Sequence, residues 1–500
     1  MVLFGMDYSG LERLYTAQQI QALDSAAIQG QGIPGITLMS RAAQASFDCL
    51  LSLWPETNSV QVLCGTGNNG GDGYLVADIA HKRGIDVTLW QLGDNVKISG
   101  DAALALQQAV GNGVEIRTFH AGCLANSGVV VDAMLGTGLS GDLREPFAGA
   151  VNEINSLDVP VLAIDIPSGL CSDSGRILGG AVKADATVTF MGLKRGMVTA
   201  AGQDHVGELQ FSSLGVPPGV YEAVATADYL LDLASLLEQL PVRPALSHKG
   251  SYGRVLIIGG GEGMSGAAAL AGEAALRCGA GLVAVATRVE HVSALVARTP
   301  ELMVSGVRSG LELQPMVDSA TVLVIGPGLG TTAWSEQMLQ VAVASGKPMV
   351  IDADALNLLA GDRGSFEVPQ QGWVLTPHPG EAARLLNISS GEVQMDRFSA
   401  VRALQRRYGG VVVLKGNGSL VASSERVGVS DYGNPGMASG GMGDVLSGVL
   451  GALLAQGLAP ADAASLGVCL HGAAADIAAE EGMRGLIASD LLPPLRSLLG

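Results

Sequence analysis

Apolar runs in the first half of the chain are followed at once by polar side chains that could bind a ligand. These side chains are Asn68, Asn69, Asp72, Asp132, Asp165 and Ser168. Asn69, Asp132 and Ser168 are hard oxygen donors, which suit an alkali or alkaline-earth cation better than zinc. Asp165, at the tip of its run, could transfer a proton. Helix capping explains Asp132 or Ser168 equally well when each is taken alone, so the combination carries the prediction.

Glycines in the same loops would let a ligand approach the backbone closely. Gly70 and Gly71 precede a predicted helix, whose first N–H groups suit a phosphate. A second loop, GTGLSGD at 136–142, could cover another phosphate or a ribose. The first loop also contains G-x-G-x-x-G from Gly65, the usual sign of a dinucleotide-binding turn. However, the next predicted strand is followed by Gln91 and lacks the acidic ribose anchor of redox enzymes.

The second half contains another set of loops with chemical potential. The segment NPGMASGGMGD at 434–444 places glycines before an apolar helix, where N–H groups could stabilise a transferring phosphoryl group. Asp444, in the first turn, could accept a proton from an attacking hydroxyl. Lys415 could meet phosphate, and His378, held between two prolines, suits a ligand contact. The carboxylates that could position magnesium, directly or through water, are Asp352, Asp354 and Glu381.

The elements that must position these loops alternate between strand and helix twice along the chain. The predicted strands are 60–64, 86–90, 128–132, 159–165, 186–191, 253–260, 282–286, 321–325, 348–352, 373–376 and 411–414. The predicted helices are 17–29, 36–53, 73–83, 100–110, 443–456 and 461–480. This alternation predicts an α/β protein with two doubly wound domains, each a mostly parallel sheet covered by helices. We place the boundary near residue 225, giving domains 1–225 and 226–500.

Composition and charge narrow the class of protein. The chain has 500 residues, of which 48% are hydrophobic and 15% charged, as in compact α/β domains. The net charge of −18 argues against nucleic-acid and membrane partners, although backbone N–H groups could still bind a small anion. The six cysteines form no C-x-x-C pair, and no signal peptide or membrane-spanning run is evident. We therefore expect a cytoplasmic protein, and we expect it to be a homo-oligomer.

The first half resembles the NAD(P)H-hydrate epimerase family in several segments. These segments are IPGITLMSRAA, GTGNNGGDG, VVDAMLGTGLSG and IDIPSGL. The resemblance implies a Rossmann-like sandwich that interconverts the R and S epimers of hydrated NAD(P)H, called NADHX and NADPHX. It implies a potassium ion held by Asn69, Asp132 and Ser168. The implied substrate contacts are Asn68, Asn69, Gly70, Gly71, Asp72, Gly136, Thr137, Gly138, Leu139, Ser140, Gly141, Asp142 and Asp165.

From about His248 to the C-terminus, the chain resembles the NAD(P)H-hydrate dehydratase family of the ribokinase-like superfamily. The segments are SHKGSYGRVLIIGG, MSGAAALAGEAALRCGAG, IGPGLG, DADALN, LTPHPGE, LKG and NPGMASGGMGD. The resemblance implies a ribokinase-like α/β/α domain that phosphorylates the S-hydrate with ADP and Mg²⁺, then eliminates phosphate to restore NAD(P)H and leaves AMP. Asp444 would be the catalytic base.

The dehydratase resemblance also implies two sets of contacts. The S-hydrate contacts would be Ala268, Gly328, His378 and Asp444. The ADP contacts would be Lys415, Gly416, Asn417, Gly418, Ser419 and Gly443. The run of alanines leaves Ala267 as an alternative to Ala268.

Other functions fit parts of the sequence. A ribokinase-like small-molecule kinase with an accessory NAD-binding domain would share the motif GGMGD, but it would leave a stable phosphorylated product. A first half that only senses NAD would keep R-to-S conversion unchanged after Asp165→Ala. An NAD-dependent dehydrogenase is disfavoured by Gln91.

Overall fold

The chain forms two compact units, Met1–Leu230 and Leu231–Gly500. The structure, a computed structural model, describes residues 13–361 and 372–500. The division follows Leu230, close to the boundary expected near residue 225. Residues 1–12, on which the expectation about a signal peptide mainly rests, lie outside the described residues.

In the described residues, the first unit is built on a seven-stranded parallel sheet. Its strands, in spatial order, are Ile116–Thr118, Asp86–Gln91, Ser59–Cys64, Val129–Ala133, Val161–Ile164, Ala186–Phe190 and Glu208–Ser212. Its α-helices are Ala17–Ser25, Gly35–Leu53, Asn68–Lys82, Gly100–Gly111, Phe147–Ile154, Gly202–His205 and Gly219–Glu222. The strand order reverses between Ser59–Cys64 and Val129–Ala133. Ligands of open α/β sheets bind at such a reversal, beyond the carboxyl ends of the strands.

A short ladder of three strands in the first unit carries a further buried residue. Arg13–Tyr15 pairs in parallel with Leu193–Lys194 and antiparallel with Asp228–Leu230. Leu193–Lys194 is fully buried on both residues. The ladder therefore fixes a lysine inside the protein.

The second unit has its own twisted sheet. Its strands, in spatial order, are Met303–Gly306, Leu282–Thr287, Arg254–Ile258, Val322–Ile325, Met349–Ile351, Trp373–Leu375, Val411–Leu414, Ser419–Ala422 and Val427–Ser430. The last two strands pair antiparallel and the others parallel. The order reverses between Arg254–Ile258 and Val322–Ile325. The glycine-rich loop 326–330 follows Val322–Ile325, one of the two strands at this reversal.

Helices cover this second sheet. The α-helices are Leu233–Leu237, Ser265–Arg277, Val292–Arg298, Gly310–Ser319, Ala333–Ala344, Ala353–Gly361, Pro379–Leu386, Ser390–Met395, Arg397–Tyr408, Met442–Ala455, Pro460–Ala479 and Leu492–Leu498. The predicted helix 443–456 is present as Met442–Ala455, which is buried along most of its length. None of the helices in the described ranges combines the length and apolarity needed to cross a bilayer.

The central strands are apolar because helices cover both of their faces. Val129–Ala133 and Val322–Ile325 are buried at every position. Continuous burial removes the alternation of polar and apolar residues, so such strands are evident as apolar runs. The sequence missed the strands that are short, lack such a run or lie at a sheet edge. They are Arg13–Tyr15, Ile116–Thr118, Leu193–Lys194, Glu208–Ser212, Asp228–Leu230, Met303–Gly306, Ser419–Ala422 and Val427–Ser430.

Candidate active sites

The polar loop after Ser59–Cys64 is the beginning of a helix. The sequence predicted this helix from Gly73, which is wrong, because the structure begins it at Asn68 with Gly67 as the N-cap. The first bond of the helix runs from the Gly71 N–H to the Gly67 carbonyl, at 3.1 Å. N–H groups earlier in a first turn have no intrahelical acceptor. Those of Asn68 to Gly70 are thus available to an anion, as expected for a phosphate-binding turn.

The glycines of this turn are required by packing within the protein. A Cβ on Gly65 would lie 1.9 Å from the Met134 carbonyl oxygen, and one on Gly70 would lie 2.1 Å from the Gly65 carbonyl oxygen. A Cβ on Gly67 would meet nothing within 4 Å. The G-x-G-x-x-G spacing therefore reflects close backbone approach at its first and third glycines.

Asp132 and Ser168 meet at the neighbouring strand ends, and both are fully buried. The Ser168 hydroxyl donates to Asp132 Oδ1 at 2.6 Å, and the Ser168 N–H donates to Oδ2 at 2.7 Å. Burial raises the pKa of Asp132 to about 6, against the lowering effect of these hydrogen bonds. Among the described residues, no lysine, arginine or histidine pairs with this carboxyl. Asp132 therefore lacks a countercharge.

The side chain of Asn69 is also buried without a partner. It is 8% exposed, and within the described ranges neither its Oδ1 nor its Nδ2 has a hydrogen-bond partner. Buried amides are nearly always hydrogen-bonded, so an unpaired one indicates a missing ligand, ion or water.

The second glycine loop converges on the same place. A Cβ on Gly136 would lie 3.4 Å from Asn69 Cβ and 3.6 Å from Asp165 Oδ2. Asn69, the loop that begins at Gly136 and Asp165 therefore lie together, as the sequence predicted for one site. Of the other loop residues, Thr137 and Leu139 are half-buried, whereas Gly138, Ser140, Gly141 and Asp142 are exposed.

Sequence reasoning missed two residues of this site, Lys194 and Asp24. Lys194 is fully buried and donates a hydrogen bond to Asp165. Burial and the nearby Asp165 raise the pKa of Asp24 to about 6. The same two influences, together with Asp24, raise the pKa of Asp72 well above its ordinary value. No motif marks these positions, although a lysine inside an apolar run was a usable signal.

In the second unit, Asp444 lies in the first turn of Met442–Ala455, whose N-cap Gly441 has φ of 92°. Burial and the nearby Asp352 raise the pKa of Asp444 to about 7, whereas Lys415 opposes this shift. A Cβ on Gly443 would lie 3.2 Å from Lys415 Nζ. The helix start, the lysine and the candidate base are therefore neighbours, as the sequence expected.

Asp352 is the centre of a buried polar network at this helix start. It is 1% exposed, and Lys415 Nζ donates to its Oδ1 at 2.8 Å. Thr376 Oγ1 donates to the same oxygen at 2.8 Å, and Ser447 Oγ donates to Oδ2 at 2.8 Å. Burial alone would lower the pKa of Lys415, but Asp352 and Glu381 outweigh burial and raise it. Lys415 is thus charged and held in place.

The three carboxylates considered for magnesium do not form a metal-binding cluster. Asp352 bonds to Lys415, Asp354 Oδ2 accepts from the Gly330 N–H at 2.8 Å, and Glu381 Oε2 accepts from the His378 N–H at 2.8 Å. Across the described part of the chain, no group of three or more His, Cys, Asp or Glu could hold a metal ion. The three carboxylates therefore form no preformed magnesium site, and positioning of the ion by any of them, directly or through water, stays a prediction.

His378 caps the helix Pro379–Leu386. Its Nδ1 accepts from the Gly380 N–H at 2.9 Å, while Nε2 lies 3.3 Å from Glu381 Oε1. Burial and the nearby Lys415 lower the pKa of His378, so the imidazole is neutral at pH 7. Its side chain is 51% exposed. A neutral, oriented and accessible ring suits the ligand contact that the sequence predicted.

Arg397 holds the predicted ADP loop, Lys415 to Ser419, through hydrogen bonds. No sequence motif marks this arginine, and it was not predicted. Arg397 is 1% exposed and donates to the carbonyls of Leu414 at 3.3 Å and Gly418 at 3.1 Å. Ser419 Oγ accepts from the Gly416 N–H at 3.3 Å. Asn417 lies in the same turn, which is held by protein groups at both ends.

The glycine loop after Val322–Ile325 faces the start of the helix Ser265–Arg277. Gly328 has φ of 54°, and a Cβ there would lie 2.7 Å from the Met264 carbonyl oxygen and 3.0 Å from Ala267 Cβ. Ala268 is fully buried, whereas Ala267 is half-buried. Of the two alanines considered from the sequence, Ala267 is thus nearer to solvent and to Gly328.

Comparisons with known proteins cover both units. A family model described as YjeF-related protein N-terminus matches residues 35–196, and one described as NAD(P)H-hydrate dehydratase matches residues 255–495. A bifunctional NAD(P)H-hydrate repair enzyme of Coxiella burnetii is 47% identical over 490 residues, covering 97% of this chain and 99% of the relative. That of Escherichia coli is 43% identical over 488 residues, covering 97% and 94%.

A solved structure of a ribokinase-like superfamily protein from Enterococcus faecalis is similar to part of the chain. The two are 31% identical, with a TM-score of 0.51, and the match covers 55% of this chain and 96% of that one. The predicted fold class is confirmed, with two α/β units of which the second is ribokinase-like.

Proposed function

The chain belongs to the family of bifunctional NAD(P)H-hydrate repair enzymes, and we propose that each unit carries one activity of that family. The first unit epimerises the R and S forms of NADHX and NADPHX. The second dehydrates the S form to NAD(P)H at the expense of ADP, giving AMP and phosphate. The observation that carries this assignment is that the predicted residues of each unit gather at one place. In the first unit they follow Ser59–Cys64, Val129–Ala133 and Val161–Ile164, at and beside the strand-order reversal. In the second unit, Lys415 and Asp352 lie beside the helix start that carries Asp444.

In the epimerase site, we propose that the first turn of Asn68–Lys82 binds a phosphate of the substrate through its free N–H groups. The loop from Gly136 to Asp142 covers the substrate, and Asp165 faces it from the strand tip. Substrate contacts in this proposal are Asn68, Asn69, Gly70, Gly71, Asp72, Gly136, Thr137, Gly138, Leu139, Ser140, Gly141, Asp142 and Asp165.

We propose that Asn69, Asp132 and Ser168 hold a potassium ion. The residues fit such an ion, because the buried amide of Asn69 has no hydrogen-bond partner in the described part of the chain and the buried Asp132 has no countercharge. All the donors are oxygens, as an alkali cation requires. A bound cation would offset the charge of Asp132 and attach the first turn to the neighbouring strand ends.

In the dehydratase site, Asp444 is the base that activates the hydroxyl of the S-hydrate. Asp444 accepts the hydroxyl proton, the oxygen attacks the terminal phosphorus of ADP, and AMP leaves. N–H groups at the start of Met442–Ala455 stabilise the negative charge that develops on the phosphoryl group. The C–O bond then breaks with loss of phosphate, and a proton leaves the adjacent carbon to restore the double bond. Phosphorylation is needed because hydroxide is a poor leaving group.

Residues around Asp444 bind the two substrates in this proposal. Ala268, or its neighbour Ala267, and Gly328 and His378 contact the hydrate. ADP is contacted by Lys415, Gly416, Asn417, Gly418, Ser419 and Gly443. Mg²⁺ would enter with ADP and neutralise its phosphates, since no described carboxylate cluster could hold the ion alone.

Fusion of the two activities has a chemical reason. A dehydratase specific for the S epimer leaves the R epimer behind, and an epimerase in the same chain returns it to the reactive pool. We also propose a cytoplasmic location, which suits six free thiols, all of them in the described ranges. A homo-oligomer remains our expectation, which the mass from light scattering would test.

The decisive experiment supplies mixed R and S hydrate with ADP and follows the absorbance of reduced nicotinamide. We expect complete recovery of NAD(P)H with release of inorganic phosphate. No recovery with ADP or ATP would exclude the dehydratase, and a stable phosphorylated product would indicate the kinase alternative. Recovery that stops at the S fraction, after correction for spontaneous epimerisation, would exclude the epimerase.

A further inference from the structure

Lys194 is a lysine ammonium buried beside the epimerase site. Its side chain is 0% exposed. It donates to Asp165 Oδ1, to Thr189 Oγ1 at 2.7 Å and to the Phe190 carbonyl at 3.1 Å. An ammonium group has three N–H donors, and all three are used. The charge is therefore fixed in position, and burying it is tolerable only because a carboxylate accepts one of the bonds.

Asp165 is presented by a backbone conformation that non-glycine residues seldom adopt. It has φ of 67°, and its N–H donates to the Val188 carbonyl at 2.7 Å. Left-handed backbone at a non-glycine residue costs free energy and is concentrated at functional sites. With Oδ1 bound to Lys194, Oδ2 lies 3.6 Å from where a Cβ on Gly136 would be. One carboxylate oxygen is thus anchored and the other faces the substrate loop.

Other acidic groups surround this ion pair. Asp24 and Asp72 lie close enough to Asp165 that its charge raises the pKa of each, after the larger effect of burial. Lys194 lowers the pKa of both, and it is the one cation in the described part of the chain that acts on the two. Burial, followed by the nearby Asp72, raises the pKa of the Cys64 thiol. A single lysine therefore balances several carboxyls.

We propose that Lys194 is a positioning residue of the epimerase, which holds one oxygen of Asp165 in an ion pair and directs the other towards the substrate, so that Asp165 acts as the base. The inference rests on the proposed function of the first unit. Lys194 itself does not touch the substrate in this assignment.

The chemistry of epimerisation explains why a charged base must stand beside a neutral acid. Water adds to the enamine double bond of a dihydronicotinamide at the carbon next to the ring nitrogen. Inversion there needs the hydroxyl to leave as water after accepting a proton, with the ring nitrogen lone pair stabilising the resulting cation. A water then adds on the opposite face and gives its proton to the base. One proton enters and one leaves, so the reaction balances without an oxidant or reductant.

The surroundings supply both partners of this exchange. Asp165 is paired with the lysine and serves as the base. Asp72 has no ion pair among the described residues, and burial raises its pKa, which favours its neutral form. Carboxyl groups whose environments differ in this way commonly divide into acid and base. Without Lys194, the carboxylate of Asp165 would lose its ion-pair partner, and a carboxylate without a nearby cation takes up a proton more readily.

The test measures conversion of pure R hydrate to S in the full chain without ADP, which leaves the dehydratase idle. We expect Lys194→Met to slow conversion at least about 100-fold at neutral pH and to move the acidic limb of the rate profile upward by about one pH unit or more. Lys194→Arg keeps the charge and should retain the limb at its wild-type position with partial activity. The exposed Lys183→Met serves as the matched control and should match the wild type.

The outcomes separate this proposal from its premise. A wild-type chain that does not interconvert the epimers would overturn the proposed function, and this inference with it. A Lys194→Met chain with an unshifted limb, or with no loss of rate, would overturn the positioning role and leave the function intact. If Lys194→Met abolishes the thermal transition of the first unit, the pH–rate profile of Lys194→Arg becomes the test. An acidic limb of that profile displaced from its wild-type position would contradict the proposal.

Discussion

At the scale of single residues, the ionisation of Asp444 determines when the second unit is active. Its pKa is raised to about 7 by burial and by Asp352, and a base accepts a proton only when it is ionised. Dehydration of S hydrate should therefore slow as pH falls below about 7, approaching about tenfold per pH unit. We would measure kcat across this range with saturating ADP.

Substitutions at and near Asp444 check this assignment. Asp444→Asn should lower kcat for dehydration by about 10² to 10⁴ and leave epimerisation unchanged. Asp354 raises the pKa of Asp444, so Asp354→Asn should move the acidic limb to lower pH. An Asp444→Asn chain that dehydrates normally would assign the base elsewhere.

The paired burial of Asp132 and Asn69 predicts that the first unit responds to potassium. Replacing K⁺ by a large organic cation at constant ionic strength should slow epimerisation and lower the thermal transition of the first unit. Asp132→Asn should abolish both responses, because it removes the charge that the ion would offset. The control is Thr187→Val, which alters a fully buried hydroxyl of the same sheet that bonds to Val206. A potassium response that survives Asp132→Asn would place the ion elsewhere.

At the scale of elements, Arg397 connects the helix Arg397–Tyr408 to the nucleotide loop. It donates to carbonyls of Leu414 and Gly418, and burial lowers its pKa to about 10, which still leaves it charged. Arg397→Met should raise KM for ADP about tenfold or more, because the loop loses its support while Asp444 is untouched. The exposed Arg406→Met, on the same helix, is the control. A loss of kcat with unchanged KM would contradict this role.

The helix Asn68–Lys82 depends on two glycines and tolerates change at the one between them. Gly70→Ala would force a Cβ to 2.1 Å from the Gly65 carbonyl oxygen, whereas Gly67→Ala meets nothing within 4 Å. We expect Gly70→Ala to destabilise the first unit by about 2 kcal/mol or more and to abolish epimerisation. Gly67→Ala should cost about 1 kcal/mol as a lost N-cap glycine. Urea unfolding would measure the free energy of unfolding of both variants. A larger loss for Gly67→Ala than for Gly70→Ala would contradict this prediction.

The elements that sequence revealed are those in which burial imposes a continuous pattern. Val129–Ala133 and Val322–Ile325 are apolar throughout, whereas the missed edge strand Ile116–Thr118 is largely exposed and carries no such run. The start of Asn68–Lys82 was placed five residues late, since Asn, Gly and Asp are poor helix formers that tertiary contacts nevertheless hold in a helix. Local propensity could not reveal that constraint.

The candidate site residues also divide into those that the sequence could predict and those that it could not. Those in loops after apolar runs could be predicted, because parallel strands bring their carboxyl ends to one edge. Lys194 and Arg397 act on residues 29 and 17 to 21 positions away, from a short strand and from a helix, and neither lies in a motif. Such supports become visible only when the chain is folded.

At the scale of the whole molecule, each unit has its own reversal of strand order and its own candidate site. All the residues proposed for epimerisation precede Leu230, and all those proposed for dehydration follow it. A strand-order reversal opens a crevice at a sheet edge that any ligand-binding loop can use. The two halves thus use one architectural principle for two unrelated reactions.

Because the residues proposed for each reaction all belong to one unit, the two activities should complement each other between separate chains. Asp165→Asn suits the left-handed backbone at that position and should leave recovery stalled at the S fraction, apart from spontaneous epimerisation. Asp444→Asn should give no recovery. An equimolar mixture of the two chains, supplied with both epimers and ADP, should restore NAD(P)H completely, because the hydrate released by one site is free to reach the other. The measurement is the final absorbance of reduced nicotinamide, and a mixture that also stalls at the S fraction would mean that the substrate passes between sites only within one chain.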